Sequence, residues 1–307
     1  MTAKSLEGAA GGTIGRERAR NPRMPRKFHI KFDKSAEHAL AERAKRLTPR
    51  GPPLEMSPKL RAIHFLRGVH STATLALPAF YLFLGAATSN ADPDCAIAKY
   101  PGLVLKYTTK YSSINLISLC CRKAFDHAAK GLTGADFGKI SDETLKMVAE
   151  YWSSSSSRPI QDAVAALNLL RSVFRDCAKT DRDLLDGATV LGRRIGLLKQ
   201  HADRSAAHLS LDRYEFDVLD CAHVVAALTV FGEIIRSFDD SSTSPTYFDT
   251  LNEASFSAAM QLFPAGPDVR LFDDIQIEVQ SRLCWQWGID RGRQMLLEEL
   301  PYAMGWY

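Results

Sequence analysis

The sequence has no Cys-x-x-Cys pair, and its six cysteines (Cys95, Cys120, Cys121, Cys177, Cys221 and Cys284) show no zinc-ligand spacing with histidines. That excludes a sequence-encoded zinc module and leaves six reduced thiols, the usual state in a reducing compartment. There is no G-x-x-x-x-G-K-[ST], no H-E-x-x-H and no G-x-S-x-G, so the phosphate-cradling, zinc-protease and nucleophile-elbow templates fail. The only Gly-rich run, Gly8 to Gly15, follows no strand pattern and gives no dinucleotide fingerprint. Asp181-Arg182-Asp183 begins like a calcium loop, but Leu185 takes the fifth position and Asp186 stands where the turn glycine belongs. No metal and no small-molecule cofactor are expected.

Long apolar runs are scarce too. An h-region is absent from the N-terminus, which argues against a secretory signal. The uncharged stretch Ser71 to Ala91 holds Pro78, Gly85 and several Ser/Thr. It reads as a buried helix of a soluble core rather than a span, which needs about 20 predominantly apolar residues. A cytoplasmic location is the expectation.

What is present is an uneven charge distribution. The net charge of +4 over 307 residues is +8 for residues 1–50, +3 for 51–238 and −7 for 239–307. Hydrophobic residues make up 46% of the chain, enough to bury a sizeable core. Three parts follow: a basic arm over 1–56, read as disordered apart from a short helix near 34–47, a bundle over 57–238, and an acidic, aromatic extension over 239–307. Trp285, Trp287, Tyr302, Trp306 and Tyr307 mark the extension as a candidate protein-binding segment.

Strand signals are sparse, limited to alternating Phe28, Ile30 and Phe32, and the fold class is all-α, an antiparallel helical bundle. Ser57-Pro58 predicts a helix start, with a kink or break at Pro78. A long helix is expected from about 103 to 130, stopped by Gly131 and Gly134. Ser141 should cap a short helix to Trp152, and Ser153–Ser157 should form a flexible connection. Apolar residues at three- and four-residue steps (Val164, Leu167, Leu170, Val173, Phe174) predict a helix after Pro159. Two more are expected over 184–201 and 213–238. Histidines His64, His70 and His223 lie among apolar neighbours and read as structural.

The informative stretch joins the last two helices: Lys199-Gln200-His201-Ala202-Asp203-Arg204-Ser205-Ala206-Ala207-His208-Leu209. Helical spacing puts Arg204 and His208 on one face. A guanidinium can hold a phosphate while an imidazole moves a proton near neutral pH, which are the parts needed to cleave RNA through its own 2′-hydroxyl. Lys199, His201 and Asp203 are candidate substrate contacts. The bland alternative is a histidine satisfying a helix end beside a solvated arginine.

The Ala-Asp-Arg-x-Ala-Ala-His-Leu string, after a long helix carrying Asp126, resembles the HEPN superfamily. Within it, it is similar to the abortive-infection branch, whose members often carry Asp-Lys-x-x-Ala-His. The resemblance covers about residues 57–238. It implies a helical bundle that forms a homodimer, with two R-x4-6-H motifs meeting in a metal-independent ribonuclease site, and roles in phage defence or toxin-antitoxin pairs. Only His208 is carried over cleanly: the spacing calls for Arg at 201, 202 or 203, where His201, Ala202 and Asp203 stand, and Arg204 is one residue too close. The alternative expectation is a non-catalytic helical module that binds a protein partner through 239–307.

Overall fold

Buried apolar stripes at helical spacing pair into a bundle in which every described regular element is helical. The computed structural model describes residues 56–88, 100–127, 133–203, 218–239 and 247–263. The helices are α1 (Pro58–Thr88), α2 (Tyr100–Ala124), α3 (Gly134–Gly138), α4 (Asp142–Ser156), α5 (Ile160–Cys177), α6 (Asp181–Leu185), α7 (Val190–His201), α8 (Val218–Asp239) and α9 (Tyr247–Leu262). The basic arm with its helix and strand signals, Arg204, His208 and the aromatic residues from Trp285 onward lie outside the described residues.

Helix α1 is the hub, packed against α2, α8, α9 and α4. It begins at Pro58 as predicted, with Leu60 N–H donating to Ser57 Oγ at 3.4 Å. It does not end at Pro78. The helix continues to Thr88, because Leu77, Ala79, Phe80 and Tyr81 are all buried, and this tertiary packing offsets the hydrogen bond that proline cannot make. Helix α9 docks on α1 through Phe248 and Phe263; the latter lies against Gly85, where an added Cβ would come within 2.9 Å of its ring. Tyr81 Oη and Asn252 Oδ1, 2.6 Å apart, join the same two helices.

The core centres on a cluster of rings. Phe174 of α5 lies 5.1 to 5.6 Å, centroid to centroid, from Phe65, Phe125, Phe137 and Phe231. Trp152 of α4 stacks flat on Phe238 of α8, with centroids 5.2 Å apart. Cys120, Cys121, Cys177 and Cys221 are buried free thiols. Burial pushes the Cys120 thiol up to about 11 and that of Cys177 to about 12, so both stay protonated and unreactive near neutral pH.

Three local readings are corrected. Helix α2 stops at Ala124, and Gly134 opens α3 instead of closing the long helix. Thr133 and Asp136 form a reciprocal capping box there, and a Cβ at Gly134 would meet the Ala124 carbonyl at 2.7 Å. The serine run is not a flexible connection: residues through Ser156 complete α4, with Ser155 and Ser156 hydroxyls donating to the Tyr151 and Trp152 carbonyls at 2.9 and 2.7 Å. The turn comes at Ser157, in the left-handed region at φ 58°. The helix expected over 184–201 is two helices, because Thr189 caps α7 through a bond from Gly192 N–H at 3.2 Å.

A second helix joins α1 in being long and apolar enough to cross a membrane, Asp220–Asp239 of α8, where the sequence reading found one candidate. In both, most of the apolar window is covered inside the bundle, 67% for α1 and 89% for α8.

Candidate functional site

Arg204 and His208 follow the end of α7 in sequence, and the described residues of the motif, Lys199 to Asp203, lie at that end. Leu191, Ile195 and Leu198 bury one face of α7. Lys199 follows them inward and is 2% exposed. Its ammonium donates to the Lys179 carbonyl at 2.6 Å and the Phe125 carbonyl at 3.2 Å, and lies 3.6 Å from Asp181 Oδ1. Those carbonyls sit just past the C-termini of α5 and α2, where a cation complements the helix dipole and satisfies otherwise unpaired acceptors. His127 Nδ1 is 3.5 Å from the same ammonium.

His201 and Asp203 turn to α2. His201 Nε2 pairs with Asn115 Oδ1 at 2.9 Å. Asp203 forms an ion pair with Arg122. Asn115 and Arg122 are seven residues apart, two turns of helix, and so share one stripe of α2. Arg194 of α7 reaches Asp220 of α8 at 3.4 Å. The end of α7 is therefore tied to α2 by two polar contacts and to the ends of α2 and α5 by a buried lysine.

Of the five site residues expected from sequence, three are described, and all three face the bundle. Lys199 satisfies helix ends, His201 and Asp203 hold α2, and Arg204 and His208 lie outside the described residues. Sequence reasoning missed Asn115, Arg122, His127 and Asp181. The seven-residue spacing of Asn115 and Arg122 was a readable signal. The convergence of His127 and Asp181 on Lys199 was not, since they lie 72 and 18 positions before it and meet it by tertiary packing alone. Among the described residues no three His, Cys, Asp or Glu side chains converge as a metal site.

Burial pushes the His201 pKa below its usual 6.5, so the fold favours the neutral imidazole. The unfolded chain then takes up a proton first as pH falls. Stability from this residue is complete above about pH 6.5 and is lost below it, down to the folded pKa. The expected result is a Tm that falls more steeply between about pH 7 and 5 in the parent than in His201→Gln, measured by circular dichroism. Parallel curves would show that His201 does not titrate differently in the two states.

No protein-family model, no curated protein and no solved structure matches this chain.

Proposed function

We propose that the chain is a HEPN-like RNA-binding protein acting as a metal-independent endoribonuclease in the cytoplasm, in phage defence or a toxin-antitoxin pair. The observation that carries the reading is the anchored end of α7: His201 on Asn115 and Asp203 on Arg122 fix the point from which the Arg204–His208 segment departs, against a helix that holds four basic and no acidic residues. The all-α bundle agrees with the resemblance; its antiparallel arrangement, the basic arm and the homodimer belong to the proposal. In the scheme, His208 takes the proton from a ribose 2′-hydroxyl while Arg204 holds the phosphate. The 2′-oxygen attacks phosphorus, the 5′-oxygen leaves with a proton returned by a histidine, and a 2′,3′-cyclic phosphate and a 5′-hydroxyl result. Incubated with mixed RNA in EDTA, the parent should cleave about a hundredfold faster than His208→Ala, within the usual span for a general acid–base group. Equal cleavage by both, or none by either, rejects the enzymatic reading.

A second reading, a non-catalytic interaction module, is favoured by a different observation. Leu105, Leu116 and Leu119 are 44%, 39% and 48% exposed on α2, three large apolar side chains that a partner could cover. The acidic extension is the other candidate surface. Because α9 completes the core around Phe248 and Phe263, the truncation that tests the extension removes only residues 264–307. Expected on this reading is loss of a co-purifying protein partner from the source cells on truncation, with the helical content of the bundle retained; an unchanged partner set rejects it.

A further inference from the structure

The sequence Lys106-Tyr107-Thr108-Thr109-Lys110-Tyr111 repeats a Lys-Tyr pair one helical turn apart. Tyrosines on a helix that packs against two or three others usually turn their rings inward. These two do not: Tyr107 is 51% and Tyr111 58% exposed. Their rings lie 19° from parallel with centroids 6.5 Å apart, so two aromatic faces stand in succession along the helix. The four-residue step that links them continues to Asn115, the residue that holds His201. The stripe thus runs about 12 Å along α2, at 1.5 Å per residue, from Tyr107 to the anchored end of α7.

The charge around the stripe has one sign. Helix α2 carries Lys106, Lys110, Arg122 and Lys123 and no Asp or Glu. Only Arg122 has an ion-pair partner among the described residues. Burial and the neighbouring Lys110 charge both push the Lys106 pKa down, as expected for two ammonium groups one turn apart without a counter-charge. Lys106 is buried and Arg122 is paired with Asp203, so the half-buried Lys110, between the two tyrosines in sequence, is the cation that a polyanion would neutralise here.

We infer that Tyr107 and Tyr111 are a base-stacking platform for single-stranded RNA, with Lys110 drawing its phosphate backbone, and that the strand runs along α2 toward Asn115 and the end of α7. This rests on the RNA reading above but concerns binding, not cleavage. Stacking on exposed aromatic faces is tolerant of base identity, so the platform selects single strands over duplexes rather than one sequence over another.

The test uses the full chain and a fluorescein-labelled, 2′-O-methylated oligouridine of about 12 nucleotides, which cannot be cleaved by this route, read by anisotropy. Tyr107→Ala/Tyr111→Ala is expected to weaken binding about tenfold or more, and Tyr107→Phe/Tyr111→Phe to stay within about twofold of the parent. Both pairs are exposed, and matching circular dichroism spectra show that the variants fold alike. Lys110→Gln should lower the slope of log affinity against log salt by about 0.7, the value for one phosphate contact on a single strand. Equal affinity of the Ala pair and the parent overturns the platform, as does failure of the parent to bind the probe. A parent dimer lost in the Ala pair with RNA affinity unchanged would assign the stripe to a second copy and also overturn it. His208→Ala separates the two claims: loss of cleavage with binding retained supports both, and cleavage equal to the parent rejects the His208 chemistry while leaving the platform to the binding result.

Discussion

Phe174→Ala is expected to lower the unfolding free energy by about 4 kcal/mol, within the range for truncating a fully buried phenylalanine. The ring has no solvent exposure and touches aromatic rings from four separate parts of the chain: Phe65 of α1, Phe125 after α2, Phe137 of α3 and Phe231 of α8. A cavity at that point cannot be closed by moving one neighbour, because each of the four rings is held by its own element. The edge-on contacts with Phe65 and Phe137 add a modest aromatic contribution beyond area. Urea unfolding followed by circular dichroism measures the change; a loss below about 2 kcal/mol would mean that the site collapses and that the four rings do not depend on the fifth. Phe174→Leu should recover part of the loss, since it refills much of the volume.

Lys199→Met ranks second, at about 3 kcal/mol. The substitution keeps an unbranched apolar side chain that reaches to the ε position and removes the ammonium. The Lys179 and Phe125 carbonyls then lose their donor, and Asp181 loses its cation. Asp181 keeps 23% of its side chain in solvent, so water replaces part of what it loses, and the loss is set below the largest values for fully enclosed pairs. The double variant Lys199→Met/Asp181→Asn should lose less than the sum of the two single changes. A Lys199→Met protein as stable as the parent would show that water serves those carbonyls as well as the lysine does.

Short-range chemistry was legible in the sequence. Ser141 caps α4 by accepting from Thr144 N–H at 3.2 Å, and the stripe Leu167, Leu170, Val173 and Phe174 is buried as its spacing predicts. Both depend on residues within a few positions of one another. Pro78 misled because a break is a local expectation, while the burial that carries the helix past it comes from α2 and α8. The serine run misled in another way: serine has modest helix propensity, but its hydroxyls can bond back to the preceding turn and close a helix end. Lys199 is the clearest case at the candidate site. In sequence it is one more basic residue near a motif, a candidate substrate contact. Only the arrival of the ends of α2 and α5 beneath it makes it an internal staple. His201 and Asp203, candidate substrate contacts in the sequence, pair instead with Asn115 and Arg122 of α2.

The anchoring of α7 has a consequence for how this chain can vary. Lys199, His201 and Asp203 each reach a fixed partner, so one residue inserted between Thr189 and Lys199 would turn all three by about 100° around the helix axis. That rotation takes Lys199 from its carbonyls, His201 from Asn115 and Asp203 from Arg122. The span from the Thr189 cap to Lys199 is thus a measured length, open to changes of residue type on its exposed side and closed to changes of residue number.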